Sequence, residues 1–209
     1  MSERRRSPVE VLRNLPEVFD ISTMCRMTGL ERGIARTYLS RWARAGLVAP
    51  AGPRAGIHFN LIRAPDAPGK RAVDALRMAY PSAVLVGASV LHAAGWITQI
   101  PRRLTVAVAT RPSLASLDGF DVSGRTRVWY ASVHADLVAD KDYATYGLRA
   151  LSPAMALADL HARPRDWCPD PDDLDLDDGA WNEVRRSFET LGVAEPEWLA
   201  DMPGAGRTP

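Results

Sequence analysis

Apolar residues near the start of the chain recur every three or four positions, which is the spacing of amphipathic helices. The pattern predicts short helices over 7–15 and 21–27 and a longer helix over 31–45. In the longest helix, a period of about 3.6 residues gathers the apolar side chains on one side. These side chains are Ile34, Ala35, Tyr38, Leu39 and Trp42. We therefore expect that side of the helix to lie against a core.

A glycine turn follows the second predicted helix, and a hairpin follows the third. Gly29 can adopt the positive φ with which helices commonly end. Short apolar strands over 47–50 and 57–62 enclose a loop over 51–56 that is rich in glycine and proline. Three helices followed by such a hairpin predict an N-terminal winged helix-turn-helix domain over 1–63.

A second domain is expected after a short linker. Two prolines and a glycine within 64–69 disfavour regular structure, so this stretch is predicted as the linker. Helical spacing and apolar runs then alternate through 70–165, which predicts a mixed α/β domain and an α+β class for the whole chain. The expected helices cover 70–80, 88–94 and 153–161, and the expected strands cover 83–86, 104–109, 125–131 and 148–151.

The end of the chain, 166–209, is predicted as an acidic tail with a C-terminal helix. Aspartates crowd 170–178, and either Asp177 or Asp178 is suited to cap the helix. The helix carries one apolar stripe, formed by Trp181, Val184, Phe188 and Leu191. We expect the stripe to dock on the second domain while 170–178 stays in solvent.

The composition is that of an ordinary globular protein, since 46% of the 209 residues are hydrophobic and 24% are charged. The apolar runs end well before the about 20 residues that a membrane-spanning helix needs. No apolar stretch follows the basic start, so we expect a cytoplasmic protein with no signal peptide and no membrane partner. Cys25 and Cys168 lie far apart and lack the spaced partners of a disulfide framework or zinc module.

The net charge of +1 conceals a gradient along the chain. Residues 1–70 hold 12 Lys/Arg and 6 Asp/Glu, a net charge of +6, and residues 71–164 hold 10 and 7. Residues 165–209 hold 4 and 12, a net charge of −8. The basic front indicates a polyanionic partner, and the acidic end indicates a basic partner or the chain's own basic front.

The polar side of the 31–45 helix is the strongest functional signal. It carries Arg32, Gly33, Arg36, Thr37, Ser40, Arg41 and Arg44. Guanidinium groups pair bidentately with guanine and bridge phosphates, so this side is predicted to bind the DNA major groove. Arg36, Thr37 and Ser40 are placed for bases, and the other arginines for the backbone. A solvated arginine-rich face is the alternative, and Gly33 equally permits close approach to DNA or packing against a neighbouring helix.

Two further basic features lie where winged-helix proteins usually meet phosphate or the minor groove. Arg54 is at the tip of the predicted hairpin loop, and Arg4, Arg5 and Arg6 form a triplet near the start. An untethered basic terminus is the alternative interpretation of the triplet.

Motifs for metal binding and catalysis are incomplete. The alternating Asp173, Asp175 and Asp177 resemble a calcium loop, but the required glycine and final glutamate are missing from their positions. The run 87–89 resembles the start of a nucleotidyltransferase phosphate loop without the carboxylate pair that must follow, so Ser89 is expected to cap a helix. The histidines are expected in packing or surface roles, and they are His58, His92, His134 and His161. We therefore expect no enzyme activity, no cofactor and no metal.

Three stretches of the chain resemble one known family. The first contains FDISTMCRMTGL (19–30) and ARTYLSRWARAGLV (35–48). The second contains GASVLHAAGW (87–96) and QIPRRLTVAV (99–108), and the third is LSPAMALADL (151–160). Together they resemble the AbiEi-type antitoxins, a family of transcriptional regulators from type IV toxin-antitoxin systems.

The resemblance implies a repressor that autoregulates its toxin-antitoxin operon and also counteracts a cognate nucleotidyltransferase-like toxin. In this family the winged helix binds inverted repeats in the promoter, and the C-terminal domain is tied to antitoxin activity. The expected partners are therefore double-stranded operator DNA and the toxin, with direct contact to the toxin left open. Because no heptad seam or dimer helix is found, we expect a monomer when free that pairs on DNA.

A second function remains open at this stage. The winged helix could merely direct a catalytic domain, making the chain a DNA-targeted nuclease or nucleotidyltransferase. The absence of paired carboxylates and of an activated nucleophile from the sequence favours the repressor.

Overall fold

The computed structural model describes residues 7–109, 116–139, 146–163 and 167–202. These ranges hold nine α-helices and two sheets, so the expected α+β class is confirmed. The chain divides into two compact units. Of the described residues, 7–81 and 116–119 form the first unit, and the remainder forms the second.

The first unit begins with three helices and a short strand. They are α1 (Pro8–Asn14), β1 (Val18–Asp20), α2 (Ile21–Thr28) and α3 (Arg32–Arg44). The Asp20 carboxylate caps α2 by accepting a 2.7 Å hydrogen bond from the Thr23 N–H. Gly29 ends α2 with a φ of 73°, as its predicted turn requires.

Two further strands complete a three-stranded antiparallel sheet with the order β1-β3-β2. They are β2 (Val48–Pro50) and β3 (Ile57–Asn60). In the register, Val18 faces Phe59 and Val48 faces Asn60. Strand β1 was not predicted, because three residues are too few to display an alternating pattern and the strand depends on its partner β3.

The core of the first unit lies between the three helices and the sheet. Its buried members are Leu12, Leu15, Phe19, Met24, Ala35, Leu39, Trp42 and Val48. Asn60 is fully buried, and its side-chain N–H groups donate to the Leu12 and Leu15 carbonyl oxygens at 2.7 and 3.2 Å. This amide therefore ties the end of α1 to the sheet.

The predicted linker over 64–69 differs from the structure. Helices α4 (Ala67–Lys70) and α5 (Ala72–Ala79) occupy this region and belong to the first unit, which extends to residue 81. Proline is compatible with the first helical turn, and Ala67 is fully buried, so burial outweighs the local Pro/Gly composition. Arg71 also bonds to Glu17 at 2.8 Å, which joins α5 to the segment before β1.

Residues 116–119 lie far along the chain but pack within the first unit. The Asp118 N–H donates to the Ala51 carbonyl at 2.9 Å, and Leu117 is buried. The first unit is therefore not one continuous stretch of sequence.

The second unit begins with β4 (Val84–Leu85), α6 (Ala88–Ala93), β5 (Leu104–Val108) and β6 (Phe120–Gly124). It continues with α7 (Arg127–Ser132), β7 (Val138–Ala139), β8 (Arg149–Ala150), α8 (Pro153–His161) and α9 (Asp178–Leu191). The strands form a mixed sheet with the order β6-β5-β4-β8-β7. β5 runs antiparallel to β4 and parallel to β6, and β8 runs parallel to β4 and antiparallel to β7.

Helix α8 is the central helix of the second unit. Every residue from 154 to 160 is buried, and the helix packs against both α6 and α9. Ser152 caps it, because its hydroxyl accepts a 3.2 Å hydrogen bond from the Met155 N–H. A helix that is apolar nearly all round requires cover on all sides.

Helix α9 supplies part of that cover. Asp177, rather than Asp178, caps the helix by accepting a 2.8 Å bond from the Ala180 N–H. Trp181, Val184 and Phe188 are buried and Leu191 is half-buried, so the predicted docking of the stripe is confirmed for three of its four residues. The aspartates before the helix are exposed, as expected. The predicted acidic tail is thus, over its described residues, part of the second unit.

Two predictions for the second unit are wrong. The strand expected over 125–131 lies earlier, at Phe120–Gly124, and is followed by α7, where the Thr126 hydroxyl accepts a bond from the Trp129 N–H. Ser89 does not cap α6. It is fully buried, and its hydroxyl accepts a 2.8 Å bond from the Thr105 N–H, which joins α6 to β5.

Among the described residues, no helix is both long enough and apolar enough to cross a membrane.

Candidate nucleic-acid interface

Helix α3 has one buried side and one exposed side. Ala35, Leu39 and Trp42 are buried against the core. The predicted contact residues are all exposed, and they are Arg32, Gly33, Arg36, Thr37, Ser40, Arg41 and Arg44. The helix therefore presents the whole predicted polar side to solvent.

The polar residues have distinct places around the helix. At about 100° per residue, Gly33, Thr37, Ser40 and Arg44 form the centre line of the exposed side. Arg36 lies on one flank of this line and Arg41 on the other. Arg32 is closest to the buried edge and reaches solvent from the first turn of the helix.

Gly33 has no internal packing role. A Cβ built at Gly33 would meet no atom within 4 Å, so no neighbouring helix approaches this position. The sequence left two roles open for Gly33, which were close approach to DNA and packing against a neighbouring helix. The structure excludes packing against a neighbouring helix among the described residues. The glycine leaves a shallow place in the middle of the exposed side.

The arginines of this surface carry uncompensated charge. In the part of the chain that the structure describes, Arg32, Arg36, Arg41 and Arg44 form no ion pair. By contrast, cations on and before α5 are paired. Lys70 pairs with Asp66, and Arg71 pairs with Glu17.

The loop over 51–56 holds Arg54 in an unusual backbone conformation. Arg54 is exposed and has a φ of 59°, in the left-handed region that costs a residue with a side chain about 1–2 kcal/mol. The 116–118 segment packs against the loop, and its N–H groups donate to the Ala51 and Pro53 carbonyl oxygens. A Cβ at Gly52 would lie 2.1 Å from the Ser116 carbonyl oxygen. The loop is thus supported at its base while the arginine points into solvent.

Arg4, Arg5 and Arg6, the remaining predicted contacts, lie outside the described residues.

One prediction for the apolar side of α3 is wrong. Ile34 is 47% exposed, although Ala35 beside it is fully buried. Its position, about 100° from Gly33, puts it next to Arg41 at the edge of the polar side. The sequence contained a signal for this, since Ile34 lies furthest round the helix from Leu39 among the predicted apolar residues.

The second unit contains a buried charge cluster centred on Asp159, which is 1% exposed. Its Oδ2 accepts bonds from Arg125 Nη2 at 2.9 Å and Arg163 Nη2 at 3.0 Å. Its Oδ1 accepts a bond from Trp129 Nε1 at 2.8 Å, and the Arg125 guanidinium lies 5.4 Å from the Trp129 ring centroid. The cluster joins α8 to the start of α7. The cluster has little signal in the sequence. Arg125 and Trp129 lie 30 or more residues before Asp159, and Arg163 looks like an ordinary surface charge.

A cysteine and a histidine also meet in the second unit. Cys168 Sγ lies 3.1 Å from His161 Nε2, among the rings of Phe188 and Trp198. Burial, helped by Asp170, raises the pKa of the Cys168 thiol to about 11. Burial also lowers the pKa of His161 below its usual value. Both groups are therefore neutral near pH 7, which is the opposite of the thiolate and imidazolium of an activated nucleophile.

The described residues contain no group of three or more His, Cys, Asp or Glu side chains that could hold a metal ion.

Comparisons with known proteins give a fold likeness and no family. No family model and no curated protein matches the chain. The crystal structure of the RV2827C protein from Mycobacterium tuberculosis has a similar fold, with a TM-score of 0.50 and 18% sequence identity. The match covers 88% of this chain and 75% of that chain. At this identity the likeness concerns the fold alone, since one fold hosts many functions.

Proposed function

We propose that the first unit is a winged helix-turn-helix domain that binds duplex DNA. In this proposal α3 enters the major groove and the 51–56 loop is the wing. The observation that carries it is the exposed side of α3, where four arginines without ion-pair partners among the described residues surround small polar side chains. Such a surface attracts phosphates and presents donors to base edges.

The backbone strain at Arg54 supports the assignment of the wing. A glycine would occupy the same conformation without cost, yet the chain has an arginine there. Strain that persists at an exposed tip is typical of positions where the side chain contacts a ligand. A phosphate or the minor groove is the complementary ligand for an exposed guanidinium.

We further propose that the protein represses its own toxin-antitoxin operon and neutralises a nucleotidyltransferase-like toxin, without enzyme activity of its own. The sequence resemblance to AbiEi-type antitoxins supports this part. In the structure, the resembling segments supply α3 in the first unit and β5 and α8 in the second. These elements contribute buried residues to both units.

The alternative, a DNA-targeted nuclease or nucleotidyltransferase, shares the first unit and differs only in the second. The two reactive groupings of the second unit do not favour it. Asp159 is enclosed by its four donors, and the Cys168 and His161 pair is neutral. Co-expression with an adjacent gene that encodes a phosphate loop and paired aspartates distinguishes the two functions. Growth rescue supports the antitoxin, and cleavage or nucleotide transfer by the purified chain supports the enzyme.

Gel-shift titrations with the upstream region of its own gene test DNA binding. Arg36→Ala should cost about 1–3 kcal/mol on the preferred site and relax the sequence preference, because a base-reading guanidinium is lost. Arg54→Ala should weaken binding to all sequences and reduce the salt dependence by about one phosphate contact.

Arg77→Ala is the matched control. It removes the same single charge from the first unit, but its guanidinium lies near Asp74 on α5, away from the α3 surface residues in sequence and element. Its affinity and salt dependence should stay close to those of the wild type. Wild-type binding by both Arg36→Ala and Arg54→Ala at matched salt would show that α3 and the loop are not the interface.

A further inference from the structure

The exposure of Ile34 is out of keeping with the rest of α3. The other large apolar residues of this helix face the core, with Leu39 and Trp42 each 4% exposed. Ile34 is 47% exposed, so it gains only part of the burial that the core residues gain, and its β-branched side chain lowers helix propensity slightly. A lone exposed isoleucine is common on protein surfaces. What distinguishes Ile34 is its location within a surface that otherwise consists of polar and charged groups.

The position of Ile34 on the helix determines what it can touch. It lies in the first turn of α3, about 60° from Thr37 and about 20° from Arg41 around the axis. The N-terminal residues of a recognition helix are those that contact base edges. Arg41 lies two turns further along the same edge of α3. Its guanidinium is available to bind a phosphate of the DNA backbone beside the base contact. If α3 lies in the groove with its first turn against the base edges, Ile34 reaches those edges from the border of the polar side.

An isoleucine has one specific complement on the floor of the major groove. It has no hydrogen-bonding group, so it gains nothing from the donors and acceptors of adenine, guanine or cytosine. The thymine C5-methyl group is the apolar feature that a major-groove side chain can read. Phosphates offer an isoleucine no favourable contact.

We propose that Ile34 is a specificity-determining residue that packs against a thymine C5-methyl group in the operator. This inference rests on the proposed function, namely that α3 enters the major groove. It adds an apolar contact that selects thymine to the polar contacts of Arg36, Thr37 and Ser40. Deoxyuridine, which lacks only that methyl group, is the diagnostic substitution.

The test uses the full chain and a duplex that wild-type protein selects from a random-sequence library. Each thymine of the selected site is replaced singly by deoxyuridine, and dissociation constants are measured at one salt concentration. Wild type should lose about fourfold in affinity at one position per half-site, the effect of one buried methyl group. Ile34→Ala should bind the thymine duplex more weakly and should not distinguish thymine from deoxyuridine at that position.

Met78→Ala is the control, because Met78 is similarly exposed at 41% but lies on α5. It should keep the wild-type ratio of thymine to deoxyuridine affinities. If Ile34→Ala also keeps that ratio, or if no deoxyuridine substitution affects wild type, the proposal for Ile34 is overturned while DNA binding stands. If Ile34→Ala keeps the ratio but changes the sedimentation of free protein, Ile34 is a self-association contact instead. If selection enriches no sequence and no duplex binds, both the inference and the proposed function fail.

Discussion

Among individual residues, Asp159 illustrates how a buried charge can be tolerated. Removing a carboxylate from water is costly, and the cost is offset only when charge and hydrogen bonds replace the lost hydration. Arg125, Arg163 and Trp129 together supply that replacement, since both carboxylate oxygens have two donors each. Arg125 in turn depends on Asp159, because its side chain is itself only 7% exposed.

Asp159→Asn should therefore destabilise the protein strongly. The amide keeps the volume but removes the negative charge and one acceptor, which leaves the buried Arg125 guanidinium without its ion-pair partner Asp159. We expect a loss of about 3–5 kcal/mol in the free energy of unfolding, measured by urea denaturation. Asp121→Asn removes the same charge from an exposed position on β6 and should stay within about 0.5 kcal/mol of wild type. Equal midpoints for the two variants would mean that the cluster contributes no more than a surface charge.

Among the elements, α3 combines a stabilising side with a side that lowers its own stability. Trp42 and Leu39 anchor the helix in the core. On the exposed side, Gly33 costs helix stability and four arginines repel one another. A helix selected for stability alone would carry neither feature, so the composition of the exposed side supports a binding role.

Gly33→Ala separates stability from binding. The new Cβ meets no atom within 4 Å and the backbone is helical. We therefore expect the free energy of unfolding to rise by about 0.5–1 kcal/mol. If α3 approaches DNA closely at this point, the same substitution should weaken DNA binding, which a gel shift measures.

Gly69→Ala provides the comparison for Gly33→Ala. Gly69 also lies in a helix with open space around its Cβ position, but that helix is α4. It should bind DNA as tightly as the wild type. Wild-type affinity in Gly33→Ala as well would show that α3 does not need the glycine for close approach.

At the scale of the whole molecule, chain order and folding units do not coincide. The first unit contains residues 116–119, which follow β5 of the second unit in sequence. Leu117 is buried in this arrangement and Asp118 bonds to Ala51 beside the proposed wing. A fragment that ends at residue 81 would lack these contacts. DNA-binding measurements therefore require the full chain.

The charge distribution of the whole chain leads to an expectation about assembly. Residues 1–70 carry a net charge of +6, so we expect two copies of this region to repel each other without DNA and to be brought together by DNA phosphates. Specific recognition usually needs two half-sites, and the family resemblance implies inverted repeats. We expect a monomer in free solution and two copies on an operator, with cooperativity that arises only on DNA.

Analytical ultracentrifugation measures the oligomeric state of the free protein. Gel shifts on duplexes with one and with two half-sites measure the cooperativity. The affinity per half-site should be higher on the longer duplex. A stable dimer without DNA, or equal affinity per half-site on both duplexes, would contradict the expectation.

The sequence by itself determined the elements whose stability is local. Helices α2, α8 and α9 are capped by Asp20, Ser152 and Asp177. In each cap, the accepting side chain and the donating N–H are only three residues apart. The amphipathic period likewise predicts which side of α3 is polar, because helix geometry places residues by spacing alone. The exposure of the seven polar positions of α3 could therefore be predicted from the sequence residue by residue.

Only the tertiary structure decided the features that depend on distant partners. Strand β1 requires β3, which begins 37 residues after β1 ends. The helix over 127–132 is accompanied by contacts of Arg125 and Trp129 with Asp159, and the helix over 67–70 by the burial of Ala67. A helical wheel puts Ile34 at the border of the apolar side, and only the packing of the core decides that the buried surface ends before it. These outcomes follow from long-range packing and pairing, whose free energy can outweigh local propensity and has no signature in the spacing of neighbouring residues.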